Sequence, residues 1–380
     1  MSRPGVEILS RAQPVPRTIP TATGPWFVVG ITNKHPTSPG VSLIHSMTEY
    51  ETVYGTRTTT AIPLYDAVDA FYREGGALLY VSDLQASPTA TDWADALDLF
   101  TADLGPGQVS APGSTEPTIP AALLDHAAAT NRVALIDGPQ TGDAAAMIAA
   151  ADALTTEDNA RYGALFSPGA VIPGVSPGTT RTVPWSAIEA GIIARNDLRF
   201  TANEAAAGVN GVSQYALDLT ARFTDQEYQD INAAGNNMAR VRYGTIETYG
   251  YRSLAGAGEL PDSDWANFGN CRLNMQIVAQ ANAVGERYVF SQLDGRWVTI
   301  NDFGSELAGM LVPFYQSGSL FGATADDAFN VNVGPSVNTP ATIANGELHA
   351  VLQVRMSPFA ELVVIEVVKV STLEALAVAA

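Results

Sequence analysis

Between residues 60 and 180 the chain alternates helical patterns with short apolar runs, after one earlier apolar run, and this alternation constrains its fold more than any other feature. WFVVGIT (Trp26–Thr32) runs through four apolar residues to Gly30 and reads as a buried strand. Ile62–Glu74 places Leu64, Ala67, Val68 and Phe71 at helical spacing, and Gly75 and Gly76 stop it. ALLYVSD (Ala77–Asp83) is a second buried strand. A helix over Asp92–Leu104 turns Trp93, Ala96, Leu97 and Phe100 inward. RVALIDGP (Arg132–Pro139) is again a strand, Asp143–Leu154 an alanine-rich helix, and YGALFSPGAVIPG (Tyr162–Gly174) a strand followed by turns. Strands separated by helices imply a parallel sheet with helices on its faces.

The rest of the chain changes character. Residues 174–184 (GVSPGTTRTVP) read as a Pro/Gly/Thr linker and a domain boundary. Beyond it, helices are expected over Trp185–Ala194, Thr224–Ala234, Trp265–Ala283 and Glu306–Gly318. Thr224 and Glu227 have the spacing of a capping box, as do Ser46 and Glu49 earlier in the chain. VRYGTIETYGYRS (Val241–Ser253) reads as strand, turn, strand, and AFNVNVG, ELHAVLQVRM and LVVIEVVKV as closing strands. The expected fold class is therefore α/β plus α+β. Residues 1–25 form a proline-punctuated extended arm and 26–60 a connecting part of the core. Residues 61–180 form an outer acidic α/β domain with a parallel sheet, 181–360 an α+β core domain, and 361–380 a C-terminal arm.

Both ends carry strand-like segments. Val6–Ile8 has no hairpin partner nearby. In LVVIEVVKV, Val363, Ile365 and Val367 share one face, while Glu366 sits among Leu362, Val364, Val368 and Val370 on the other. An unpaired strand exposes a row of N–H and C=O groups that another chain can satisfy, so these ends suit strand addition between subunits. The alternatives are a frayed N-terminus and a C-terminal strand paired inside its own subunit.

With 46% hydrophobic and 16% charged residues, the 380-residue chain can bury a sizeable core. Its single cysteine, Cys271, excludes a disulfide framework and a cysteine-rich metal site. Met1–Ser10 lacks the apolar core of a signal peptide, and no run of about 18 apolar residues exists, so neither export by a leader nor membrane insertion is expected. Net charge is −19, of which residues 61–180 contribute −12 from three basic and fifteen acidic groups. Nucleic-acid binding needs a basic footprint and is not expected.

Catalytic signals are weak. Asp83 and Asp137 end predicted parallel strands, where open α/β sheets bind ligands, but aspartate after a strand commonly caps a turn. No dinucleotide fingerprint, phosphate loop or nucleophile elbow is present. His35, His45, His126 and His349 lack metal-ligand spacing, and Cys271 reads as a small packed hydrophobe. No catalytic, cofactor or metal site is assigned.

Seven pieces in order carry a resemblance. They are Pro4-Gly5-Val6 at the start, and an apolar strand ending at Gly30 and Thr32. VPWSAIEAGIIARND follows, with Pro184, Ser186, Ala190, Gly191, Arg195 and Asp197. Next come Ile231, Asn232, Gly235 and Asn237, then YGYRS with Gly250 and Arg252. GSLFG runs from Gly318 to Gly322, and the closing pattern is Asn338, Thr339, Ile343, Gly346, Pro358 and Glu361. Together these resemble contractile tail sheath proteins of phages and related injection systems. Two parts depart from that pattern: FTANEA keeps only Ala202 and Asn203 of a longer element, and residues 60–180 offer nothing to align.

The resemblance implies a non-enzymatic structural subunit that polymerises helically around an inner tail tube and contracts without a cofactor. It also implies baseplate and tail terminator partners, and a place in a virion tail or injection particle assembled in the host cytoplasm. Terminal strands carrying Pro4, Gly5, Val6, Ile8, Val363, Ile365 and Val367 would link the subunits, and contraction would be a switch between two packings. Two other readings stay open: an α/β enzyme, and a non-contractile tail or shell component with strand exchange.

Overall fold

The computed structural model describes residues 21–36, 40–59, 61–257, 265–361 and 365. In chain order these form β1 (Trp26–Ile31), β2 (Val41–Ile44), α1 (Met47–Tyr54), α2 (Ile62–Arg73), β3 (Leu79–Leu84), α3 (Ala90–Asp98), β4 (Gln108–Ser110), α4 (Ile119–Thr130), β5 (Val133–Asp137), α5 (Ala144–Asp152) and β6 (Gly163–Ser167). There follow β7 (Ala170–Pro173), β8 (Thr180–Val183), α6 (Trp185–Asn196), β9 (Asp218–Leu219), α7 (Asp225–Ala233), β10 (Asn236–Arg242) and β11 (Thr245–Thr248). The last part holds α8 (Phe268–Gly285), α9 (Val298–Gln316), α10 (Ala325–Ala328), β12 (Phe329–Asn332), α11 (Pro340–Ala344) and β13 (Val351–Val354).

The centre is an eight-stranded sheet in the order β11-β10-β6-β5-β4-β1-β3-β2. Its six inner strands run parallel, and β11 and β2 close the two edges antiparallel. Successive side chains of a strand point to opposite faces. Trp26 and Val28 of β1 therefore pack with α1, α2 and α6, while Phe27 and Val29 pack with α3 and α4. Val133 and Leu135 of β5 split from Ala134 and Ile136 in the same way. Burial on both faces is why these strands read as continuous apolar runs rather than alternating ones. Helix α6 is buried from Trp185 to Ala194, which explains its apolar character all round.

The expected division at residue 180 does not separate two units. β10 pairs in parallel with β6, with Asn236 opposite Leu165 and Met238 opposite Ser167, so residues assigned to a core domain extend the sheet assigned to an outer one. α2 also packs on α6 across that division. The supposed linker 174–184 is the turn and second strand of the β7–β8 hairpin, paired from Ala170–Val183 to Pro173–Thr180. Its Pro and Gly residues make the turn, and its Thr and Val residues the strand.

The closing α+β part is present. β12 and β13 pair antiparallel as a two-stranded sheet. Phe329, Val331, Leu352 and Val354 pack it on apolar side chains of α8 and α9, including Leu273, Ile277, Leu311 and Phe314. LVVIEVVKV and the Pro4–Ile8 segment lie outside the described residues, except that Ile365 is exposed.

Candidate assembly surfaces

The family-pattern residues converge on the interior. Gly191 of α6 lies against α2, where a Cβ would sit 2.5 Å from Glu74 Cβ and 2.8 Å from the Phe71 carbonyl oxygen. Arg195, one turn further along, donates to the Glu74 carboxylate at 3.1 Å and to the carbonyls of Glu74 and Val212. Glu74 is fully buried and also accepts from Ser213 Oγ and from the backbone N–H groups of Gln214 and Tyr215. Asp197 accepts from Thr23 Oγ1 and from Arg272 Nη2, each at 2.6 Å. The chain entering β1, α6 and α8 are thereby tied at one carboxylate.

A second row of these residues follows β10. Asn237 Nδ2 donates to the carbonyls of Leu165 and Arg252, and its Oδ1 accepts from Arg252 N at 2.6 Å. A Cβ on Gly250 would fall 2.3 Å from Asn232 Oδ1, and Gly235 ends α7 at φ +93°. Arg252 reaches Glu361 at 2.6 Å, tying residue 361 to the segment after β11. In the closing pattern, buried Asn338 bonds Val333 and His349, Thr339 caps α11, and Gly346 takes the left-handed conformation at φ +77° just past its end. Gly318 follows α9 at φ +81°, and Gly322 lies so close to α10 that a Cβ would meet Ala328 N at 2.7 Å. Pro184 is the N-cap of α6. Pro358 is exposed.

The candidates for chemistry are absorbed into packing. Asp83 pairs with His35 at 2.8 Å. Asp137 is buried, accepts from Gly113 N and Ser186 Oγ, and has its carboxyl pushed up to about 6 by that burial. Burial, then the nearby Arg132, push His126 down to about 4, so its neutral ring lies 3.1 Å from Arg132 Nη1. Arg132 in turn donates to the carbonyls of Phe100, Thr101 and Gly105. Cys271 is buried in α8, with its thiol 3.6 Å from the carbonyls of Trp265 and Asn267. Among the described residues no group of three His, Cys, Asp or Glu side chains is placed to hold a metal ion, and no helix is long and apolar enough to cross a membrane.

Sequence reading missed the most perturbed carboxyl. Glu189 of α6 is fully buried, and desolvation pushes it up to about 8 against the pull of Thr248 and Arg272. It accepts from Thr248 Oγ1, which itself accepts from Trp185 Nε1 at 2.8 Å. A single glutamate inside an apolar helix gave no signal of these partners.

What the surface offers is edges. A two-stranded sheet is marginal alone. Here β12–β13 sits on two helices, and among the described residues no further strand pairs with it. Val351 of β13 is 44% exposed.

The whole chain has solved counterparts. A chain of the anti-feeding prophage helical sheath in its contracted state is 19% identical, superposes with a TM-score of 0.74, and matches 97% of this chain and 99% of its own length. The fold is that of a contractile sheath protein. A chain from the contracted sheath complex of an extracellular contractile injection system (PVC) agrees at TM-score 0.72 and 20% identity over 97% of this chain and 98% of that one. A sheath tail protein from Desulfitobacterium hafniense agrees less well, at TM-score 0.58 and 11% identity over 87% and 93%. No protein-family model matches the sequence. No curated protein matches it either.

Proposed function

We propose that this chain is the structural subunit of a contractile tail sheath. It polymerises helically around an inner tube and contracts to drive that tube through a target cell envelope. The observation that carries this reading is the end-to-end match to sheath chains, which covers 97% of the chain and includes helical sheath in the contracted state. A chain in a contracted baseplate assembly also shares the fold, at TM-score 0.76, which fits a partner at the baseplate. The tube and terminator partners, the location in a tail or injection particle, and a non-enzymatic role follow from the same reading.

The linking mechanism in this proposal is strand addition. The Pro4–Ile8 segment and the strand with Val363, Ile365 and Val367 complete the β12–β13 sheets of neighbouring subunits, satisfying edges that one subunit leaves open. Contraction is then a change between two lattices of rigid bodies that stay joined through these terminal segments, the contracted lattice being lower in energy. The acidic α3–α5 layer faces away from the tube. A helical reconstruction with that layer against the tube would overturn this placement.

Negative-stain microscopy tests the function, using the full chain alone and co-expressed with a small tail tube protein. Hollow striated tubes are expected. Discrete globular particles in both samples would overturn the reading.

A further inference from the structure

The β10–β11 hairpin ends in an exposed tip. β10 continues past its pairing with β6, which ends at Ser167 opposite Met238, to Arg242; Ala239 and Ile246 stay in the core, and the turn that follows Arg242 is exposed. The turn is Tyr243–Gly244, with φ +48° and +83°, the tight hairpin conformation in which both central residues are left-handed. Tyr243 is 96% exposed at the tip. Behind it the guanidinium of Arg242 lies 5.2 Å from the Tyr243 ring centroid and 4.3 Å from that of Tyr249. Arg240 continues the stack between Tyr249 and Tyr228, at 4.7 and 4.9 Å. Glu247 and Asp225 hold the two arginines in place. Tyrosine and arginine already ordered by stacking lose little entropy on binding, and they are the residues that dominate interfaces.

The opposite end of the sheet carries a groove. A groove of about 700 Å³ lies where residues 105–106, 131 and 162 lead into β4, β5 and β6, so it sits at the N-terminal ends of the parallel strands. Its walls are small side chains such as Ala128 and Ala129 of α4, facing Val278 and Asn282 of α8. Asp103 and Glu286 add negative charge, and no lysine or arginine lines it. The lining itself holds no cation, and residues 74–160 contain only the fully buried Arg132, while Arg161 and Arg287 at its margin are engaged with Tyr162 and Glu306. Asp92, Asp95, Asp98, Asp125 and Asp152 are all exposed on the adjoining helices.

We propose that the Arg242–Tyr243 tip of one copy inserts into the Asp103/Glu286 groove of a second copy. Knob and groove lie at opposite ends of the same parallel sheet and differ in shape and charge. The contact is therefore head-to-tail and leaves one unused site at each end, so it propagates rather than closing. It deepens the sheath reading by naming a contact between rigid bodies, separate from the terminal strands.

The test uses the full chain, with sedimentation velocity for self-association and microscopy for tubes. Tyr243→Asn suits the left-handed turn and keeps the fold. Arg242→Glu reverses the charge. Each is expected to weaken self-association about tenfold with an unchanged unfolding midpoint for Tyr243→Asn, and Glu286→Arg combined with Arg242→Glu restores most of the loss. Wild-type association by both single variants would overturn the contact. If wild type forms tubes and the variants do too, the contact fails while the sheath reading stands. If wild type forms no tubes, the sheath reading fails, and sedimentation still decides the contact. Absence of any self-association by wild type would overturn both.

Discussion

Replacing Gly191 with alanine sets two effects against each other. In a helix interior alanine is favoured over glycine by about 1 kcal/mol, so propensity alone predicts a more stable protein. Packing predicts the reverse. The added Cβ would lie 2.5 Å from Glu74 Cβ and 2.8 Å from the Phe71 carbonyl oxygen, where carbon contacts settle at about 3.5–4.0 Å. Both obstacles belong to α2 and its end, not to the tip of a flexible side chain, so α2 and α6 must part by roughly 1 Å. Overpacking of this kind costs about 1–3 kcal/mol, and a backbone obstacle places it toward the upper end. Moving α2 also loosens the bonds from Arg195, Ser213, Gln214 and Tyr215 to Glu74. The net expectation for Gly191→Ala is a loss of about 2 kcal/mol. The control is Gly309→Ala in α9, where an added Cβ meets nothing within 4 Å. There the same change should stabilise by up to about 1 kcal/mol. Urea unfolding of the three proteins measures both. A Gly191→Ala protein as stable as wild type would refute the close-packing argument, and equal shifts in the two variants would show that propensity alone decides.

Other expectations are as direct. The Glu189 carboxyl is raised from 4.5 to about 8 in the folded state, so its stabilising contribution is complete below pH 4.5 and is lost as pH rises toward 8. Glu189→Gln should remove that loss, widening its advantage over wild type by up to about 1.4 kcal/mol per pH unit between pH 6.5 and 8, above the range where Asp137 titrates. Urea midpoints that run parallel across that window would contradict this. Arg272→Met strands the Asp197 carboxylate beside α8 and should cost about 3–5 kcal/mol, measured by thermal or urea unfolding; a loss under 1 kcal/mol would mean Thr23 alone satisfies Asp197. Deleting residues 362–380 should leave the unfolding midpoint of the body nearly unchanged while abolishing tubes in negative stain. Tubes of normal length from that variant would remove the C-terminal strand from the linking mechanism.

β1, β3, β5 and β6 were legible because each is largely buried on both faces and so is written as a mostly apolar run. The helices were legible where a cap and a periodic face coincide, as at Thr224 and Glu227, which form the reciprocal box that their spacing predicts. β4 was not, because three residues in QVS hold a central position only through β1 and β5 on either side. The β7–β8 hairpin was misread because its turn has a linker's composition. The start of α9 was placed eight residues late, since Trp297, a left-handed N-cap with no side-chain bond, gives no sequence signal. The boundary at 180 failed for a deeper reason: β10 finds β6 some 70 residues away, and no local pattern records which strand a strand will join.

The candidate site divides along the same line. Arg195, Asp197, Asn237 and Arg252 stood out in sequence, and the structure gives each a buried or bridging bond. Their partners Glu74 and Arg272 did not stand out, because a lone charged residue in a helix looks like a solvated one until another element covers it. The hairpin tip shows the converse. A strand, turn and strand were readable over Val241–Ser253, but the start of β10 at Asn236 was not, since that part of the strand is set by its pairing with β6. Interior ties of this kind join α2, α6, α8 and β10 into one packed body, while among the described residues no further strand pairs with β12–β13 and the turn at Tyr243 is exposed. A body tied in this way can exchange neighbours as a unit, which is what the proposed contraction requires of it.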